Sequence, residues 1–270
     1  MAPDKRTNAF RADLAASHLK GQVEAVRFVD GQKASAIVGR ASLRREPSGD
    51  AAQDTEILLG ETVTVYERKS GWAWLQADAD QYVGYVREEA LGAALTTDAV
   101  VSALMTPLLA APDAKSTLRD MLPMNAKVKA GETSGNYRAV PGGFIHAHAL
   151  APVTAKDFVT IAERFLGAPY VWGGKTFAGL DCSGLVQTSL NACGIASPRD
   201  SDMMEKALGK AVSLDQLQRG DLIFWPGHVG VMQDGARLLH ANAHFMEVTS
   251  ETLADVISRN AKPVSSAKRL

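Results

Sequence analysis

Two cysteines and six histidines are the residues of this chain best suited to nucleophilic chemistry. Cys182 stands in "LDCSGLV", directly after the glycine-rich "GAPYVWGGKTFAG". A thiol becomes a useful nucleophile when its thiolate is favoured, which a helix N-terminus or a nearby imidazolium achieves. "CSGLVQTSLNAC" reads as a helix that starts at or beside Cys182 and ends at Gly194, with Asp181 as its cap. The first amides of such a helix are natural donors for an oxyanion, and the small residues of "GLDCSG" leave room for a substrate to reach them. Cys182 is therefore expected to alkylate well below neutral pH. On that helix the Cα atoms of Cys182 and Cys193 would lie about 16 Å apart, against a limit of about 7 Å for a disulfide. Both are expected to be free thiols, with Cys193 on the inward face as a small core residue.

His228 and His240 flank "QDGAR" and are the candidate base and its partner. Side chains alternate along a strand, so a two-residue turn would place the two imidazoles on opposite faces of the sheet. A three-residue loop pairing 233 with 237 makes them diagonal neighbours on one face, within reach of a hydrogen bond. The expected arrangement is a triad. Cys182 attacks, His228 takes its proton and returns it to the leaving amine, and His240 fixes the His228 tautomer. His244 is the rival third member, but it shares His240's parity about 13 Å further along a strand. Cys182, His228 and His240 could alternatively ligate zinc, although neither a fourth ligand nor a spacing motif accompanies them. The expected cofactor requirement is none, and no metal.

The elements that must position these residues divide the chain. Residues 1–30 read as an N-terminal arm with a short helix, "RADLAASHL", closed at Lys20-Gly21. Short apolar, β-branched or aromatic runs follow, "ASAIVG", "TVTVYE", "GWAWLQA" and "QYVGYV", as in a small antiparallel barrel. A gapped internal repeat relates "SGWAWL" to "SGNYRAV" and "GYVREEAL" to "GFIHAHAL", which predicts a second barrel. From "PVTAKDFVTIAERFLG" the pattern becomes helical, with Thr154 as N-cap, Asp157 three positions later and Gly167 as the stop. The helix of Cys182 and the strands "DLIFW", "HVGVMQ" and "RLLHANA" complete an α+β region. The expected domains are 1–30 (arm), 31–95 and 96–152 (two small all-β barrels) and 153–270 (α+β, catalytic). Trp72, Trp74, Tyr82 and Tyr85 read as barrel core and rim, His146 and His148 as solvated residues alternating on one strand, and "RREP" as an exposed turn.

Composition sets limits on partners. With 29 basic and 30 acidic residues the net charge is −1, so no chain-wide field recruits nucleic acid or an anionic membrane. The opening residues lack the apolar run of a secretion signal, and no apolar stretch of about 18 residues follows, so a cytosolic location is expected. The composition carries no information on oligomeric state.

"YVWGGKTFAGLDCSGLV", "PRDS", "RGDLIFW", "HVGV" and "LLHA", in that order over roughly residues 155–265, resemble the NlpC/p60 cysteine peptidases, and the preceding repeats resemble bacterial SH3-type domains. The resemblance implies a papain-like core that packs the cysteine-bearing helix on a sheet carrying both histidines. It also implies cleavage of the γ-D-glutamyl bond to a diamino acid, meso-diaminopimelate or lysine, in short murein peptides, through an acyl-enzyme thioester. A cytosolic member with two SH3-like domains resembles the branch that trims recycled wall peptides with a free N-terminal L-alanine. By motif position, Glu61 in "LLGE" and Tyr82 in "QYVGY", with Tyr85 the alternative, would then hold the substrate's amino end. Asp181 would also face the ammonium, and Tyr170, Ser183 and Ser201 would line the cleft. Met204 stands where the family often has glutamine, which implies a polar contact missing near the cleft. The rival readings are an amidase or acyltransferase on the same core, and a non-catalytic wall-peptide-binding module.

Overall fold

The computed structural model describes residues 3–150, 152 and 156–270. The molecule is mostly β with few helices, and it divides into two compact units, residues 1–151 and 152–270. Among the described residues no helix is long and apolar enough to cross a membrane.

The first unit opens differently from the sequence-based expectation. "RADLAASHL" forms no α-helix. Strand β1 (Leu14–Ala16) pairs in parallel with β2 (Arg27–Val29), and Ser17–Leu19 makes a single 3-10 turn. The reason is tertiary. Leu14, Ala16 and Leu19 are buried with Ala9 against Trp74, and a helix of nine residues is too short to hold itself against that burial.

Seven strands follow: β3 (Gln32–Ala36), β4 (Arg40–Arg44), β5 (Gln53–Leu58), β6 (Thr62–Lys69), β7 (Trp72–Ala77), β8 (Val83–Arg87) and β9 (Leu91–Ala93). Their sheet order is β5-β4-β8-β7-β6-β3-β9. Every residue of β7 is buried, because Ala73, Leu75 and Ala77 face the sheet's own core while Trp74 faces the arm. The sequence reading had no strands at β4 and β5, whose mixed charges hide the alternation of Ala41, Leu43, Thr55 and Ile57 into the interior.

The remainder of this unit contains β10 (Ala99–Val100), β11 (Met105–Leu109), β12 (Leu118–Pro123), β13 (Lys127–Val128), β14 (Thr133–Ser134), β15 (Tyr137–Val140) and β16 (Gly143–His146). Five of these form the sheet β12-β11-β16-β15-β14, around Val101, Leu108, Leu122, Val140 and Ile145. The repeated stretches adopt the same local structure twice. A turn with Gly71 or Gly135 at positive φ leads into an antiparallel pair, β7-β8 or β15-β16, that ends in a 3-10 turn, Glu88–Ala90 or Ala147–Leu150. His146 and His148 are both exposed, but His148 sits on the second 3-10 turn rather than on the strand.

The second unit begins with α1 (Phe158–Glu163). Its N-cap is Asp157, whose side chain accepts from Val159 N–H, while the expected cap Thr154 lies outside the described residues. A short pair, β17 (Lys175–Thr176) and β18 (Gly179–Leu180), leads into α2 (Cys182–Ala192), and α3 (Ser201–Ala207) follows. The sheet contains β19 (Lys210–Ala211), β20 (Leu222–Trp225), β21 (His228–Met232), β22 (Arg237–Asn242), β23 (Glu247–Thr252) and β24 (Ser266–Arg269), in the order β19-β24-β20-β21-β22-β23, all antiparallel. Helix α2 packs on β21 and β22. Helix α4 (Leu253–Arg259) puts Leu253 and Val256 into a cluster with Ile223, Trp225, Met232 and Leu238. Cys193 departs from expectation. The helix has ended there, so it is the C-cap residue and only half-buried rather than a core thiol.

Candidate active site

Helix α2 starts at Cys182 because the chain is turned into it at Asp181, whose backbone is extended and whose carboxylate accepts from Gly184 N–H at 2.7 Å. That carboxylate is also held by Gly173 N–H at 2.8 Å and by both terminal nitrogens of Arg199, at 3.0 and 2.8 Å. Arg199 donates to Ser183 Oγ at 2.8 Å as well, and Ser183 Oγ in turn lies 3.3 Å from Asp181. Arg199 is 1% exposed, so this is a buried, forked ion pair tying the "PRDS" segment to the first turn of α2. The glycines here serve a different purpose from the one expected. A Cβ on Gly184 would stand 2.1 Å from the Gly174 carbonyl oxygen, so the small residues admit the neighbouring loop rather than a substrate.

Strand β21 brings the histidine pair to the same place. The loop between β21 and β22 has three residues: Met232 pairs with Leu238, and Gln233 N–H donates to Arg237 C=O at 2.8 Å. Parity then sets His228 and His240 diagonally on one face, with His228 Nε2 and His240 Nδ1 2.8 Å apart. His244 lies in the exposed turn after β22, its ring edge-on to Phe245. The backbone N–H groups of Val229, next to His228, and of Ser183 lie near the Cys182 thiol and favour its ionised form. Tyr170 is half-buried close by, its phenol pushed up to about 12, first by burial and then by Cys182 and Asp181.

The electrostatics correct the picture of a pre-ionised thiolate. Burial pushes the Cys182 thiol up to about 12, Asp181 adds to the shift, and the two N–H groups together with Arg199 do not offset it. Burial likewise holds the His228 imidazole down to about 3, with His240 beside it contributing. Each group taken alone is thereby held toward its neutral form, because an isolated charge is costly away from water. Cys182 is 6% exposed, so fast alkylation below neutral pH is not expected of it.

This buried cysteine at a helix start, beside a strand that opens with a bonded histidine pair, agrees with a family match. Residues 167–261 form an NlpC/P60 domain. Residues 43–91 match the bacterial dipeptidyl-peptidase SH3 domain. Over 112 residues, 38% of this chain, the sequence is 37% identical to a gamma-D-glutamyl-L-lysine dipeptidyl-peptidase of Bacillus subtilis (strain 168), spanning 38% of that relative's length. Over 245 residues, 80% of this chain and 90% of the relative, it is 28% identical to dipeptidyl-peptidase 6 of Lysinibacillus sphaericus. The fold is shared with an NlpC/P60 family protein from Bacillus cereus ATCC 10987, at a TM-score of 0.74 and 21% identity over 88% of this chain and 99% of that one. An NlpC/P60 domain thus carries the candidate site.

Within the NlpC/P60 domain the structure gathers Cys182, Asp181, Ser183 and Tyr170, and it joins His228 to His240. Ser201 opens α3 two residues after Arg199 and is nearly buried. Met204, on the same helix, is fully buried, so its side chain is a packing residue. The other expected contacts belong to the first unit. Glu61 is buried, and its carboxylate accepts from Leu58 N–H at 2.8 Å. Tyr82 belongs to the barrel core. The Tyr85 hydroxyl accepts from Arg11 at 2.8 Å, in a groove of about 500 Å³ lined also by Glu67, Trp72 and Trp74.

Sequence reasoning missed three residues of the NlpC/P60 domain that the structure connects to this site. Arg199 stands in "PRDS", whose sequence alone gives it no role. Glu251 Oε1 stands 2.8 Å from His240 Nε2, and Arg259 on α4 grips the Glu251 carboxylate at 2.7 and 2.8 Å. Arg259 holds Glu251 down to about 2 against the opposing effect of burial, and His240 adds to this. The signal for Glu251 was present. His240 pairs with Thr249, so Glu251 is its diagonal neighbour on the same face, by the parity that joined the two histidines.

Proposed function

We propose that this chain hydrolyses the bond between γ-D-glutamyl and a diamino acid in short murein peptides that carry a free N-terminal L-alanine. The observation that carries the reading is the 2.8 Å bond between His228 and His240 at the strand that meets the Cys182 thiol. As the sulfur attacks the γ-carbonyl carbon, its proton passes to His228, so the pair becomes charged only when opposite charges form together. In this reading the Ser183 and Val229 N–H groups, both near the sulfur, donate to the oxyanion that forms beside it. Collapse expels the diamino acid's amine, which takes the proton from His228 and leaves the L-Ala-γ-D-Glu acyl group on Cys182 as a thioester. Water, deprotonated by the same imidazole, then releases the dipeptide and restores the thiol.

Murein peptides as the substrate class draw support from the names of the relatives, which are γ-D-glutamyl-L-lysine and numbered dipeptidyl-peptidases. In this proposal Tyr170, Asp181, Ser183 and Ser201 line the cleft beside Cys182. Asp181 is largely saturated by Arg199 and two backbone N–H groups, so it contributes shape and residual negative potential more than a full charge. A role in recycling wall peptides in the cytosol belongs to the same proposal.

The test compares L-Ala-γ-D-Glu-L-Lys with its N-acetyl form. Losing a charge-assisted ammonium contact costs about 1.5–3 kcal/mol, so kcat/KM is expected to fall roughly 10- to 150-fold on acetylation. Equal rates for the two peptides would remove the amino-end pocket from the account.

A further inference from the structure

The proton order of the two histidines decides whether His228 can act as a base, and a third residue governs that order. His228 Nε2 is used by His240 Nδ1, so the only ring nitrogen left to His228 for the thiol proton is Nδ1. For Nδ1 to be bare, the proton of neutral His228 must sit on Nε2 and be donated to His240 Nδ1. His240 must then carry its own proton on Nε2. The reversed order keeps the same 2.8 Å contact but places the His228 proton on Nδ1, where it blocks general-base action.

We propose that Glu251, clamped by Arg259, is a positioning residue that imposes the productive order on the His228–His240 pair. A carboxylate only accepts hydrogen bonds, so Glu251 Oε1, 2.8 Å from His240 Nε2, requires the proton to be there. Arg259 binds both Glu251 oxygens, at 2.7 and 2.8 Å, which holds the group as a carboxylate and fixes its orientation. His240 is 2% exposed, so no bulk solvent competes for its ring nitrogens. The line Arg259, Glu251, His240, His228 thus runs from the exposed end of α4 to the base, with each donor and acceptor determined by the one before it. This deepens the proposed function and rests on Cys182 as nucleophile and His228 as base.

Glu251→Gln keeps the size of the side chain but adds an N–H₂ that can donate to His240 Nε2 and so admits the blocked order. The comparable change one position closer to a catalytic histidine costs about 10⁴ in kcat. Acting through one further ring, the expected loss here is roughly 10- to 100-fold in kcat with KM unchanged. ¹⁵N spectra of the imidazoles in the unaltered protein are expected to show both His228 and His240 protonated on Nε2 and bare on Nδ1. Finding His240 protonated on Nδ1, or kcat of the Gln variant within twofold of the parent, would overturn the proposal. The spectrum needs no variant to fold and no turnover. It therefore stands apart from the nucleophile assignment, which an active Cys182→Ala protein would defeat while leaving the proton order intact.

Discussion

Replacing Arg199 by methionine is expected to lower the melting temperature of the protein by roughly 10–20 °C. Its guanidinium is 1% exposed and forks onto Asp181, so methionine would leave a carboxylate in the interior without its countercharge. Removing one partner of a buried pair costs about 3–5 kcal/mol. For a domain of this size each kcal/mol is worth about 4 °C. Because Asp181 also caps α2 through Gly184 and holds Gly173, the loss falls on the turn that presents Cys182, and activity should fall with stability. Lysine at 199 supplies the charge without the fork and is expected to give an intermediate loss. Circular-dichroism melts check this; a methionine variant melting within 2 °C of the parent would show the pair to be dispensable.

His228→Ala is expected to lower kcat about 10²- to 10⁴-fold, the ordinary contribution of a positioned general base. The same residue shapes two pH dependences. Protonation removes the base, but burial holds the imidazole down to about 3 from its usual 6.5, so kcat/KM should persist to well below pH 6. With the thiol pushed up to about 12, no alkaline limb near pH 8.5 is expected from Cys182. A limb near pH 8 would instead belong to the substrate's ammonium. For stability the sign follows from proton uptake. Between pH 6.5 and about 3 the unfolded chain binds a proton at this histidine that the folded chain does not, so stability is lost as pH falls through that window. Melting temperature plotted against pH should be flatter in the alanine variant; an unchanged slope would contradict the burial of His228 as its cause.

What was legible in the sequence was whatever period and spacing determine. The hairpin parity of His228 and His240 follows from alternation along a strand and one loop length. Asp181 as the cap of α2 follows from a polar residue standing before a helical pattern. The arm was not legible, because "RADLAASHL" is rich in helix-forming alanine and leucine and becomes extended only through burial of Leu14, Ala16 and Leu19 against Trp74, a partner far along the chain. Nor was the state of the thiol. A helix N-terminus favours a thiolate, and the depth of Cys182, with the Asp181 carboxylate beside it, reverses the sign. Nothing in the sequence alone gives Arg199 or Arg259 a role; the structure places one in the interior and the other against Glu251.

In the proposed reaction Cys182 carries the acyl group. Purified protein and its Cys182→Ala variant would each be incubated with L-Ala-γ-D-Glu-L-Lys, and the products quantified by mass spectrometry. L-Ala-D-Glu and free lysine are expected from the parent, and from a folded variant no product above the uncatalysed background. Release of the same two products by the variant at a rate near the parent's would contradict it.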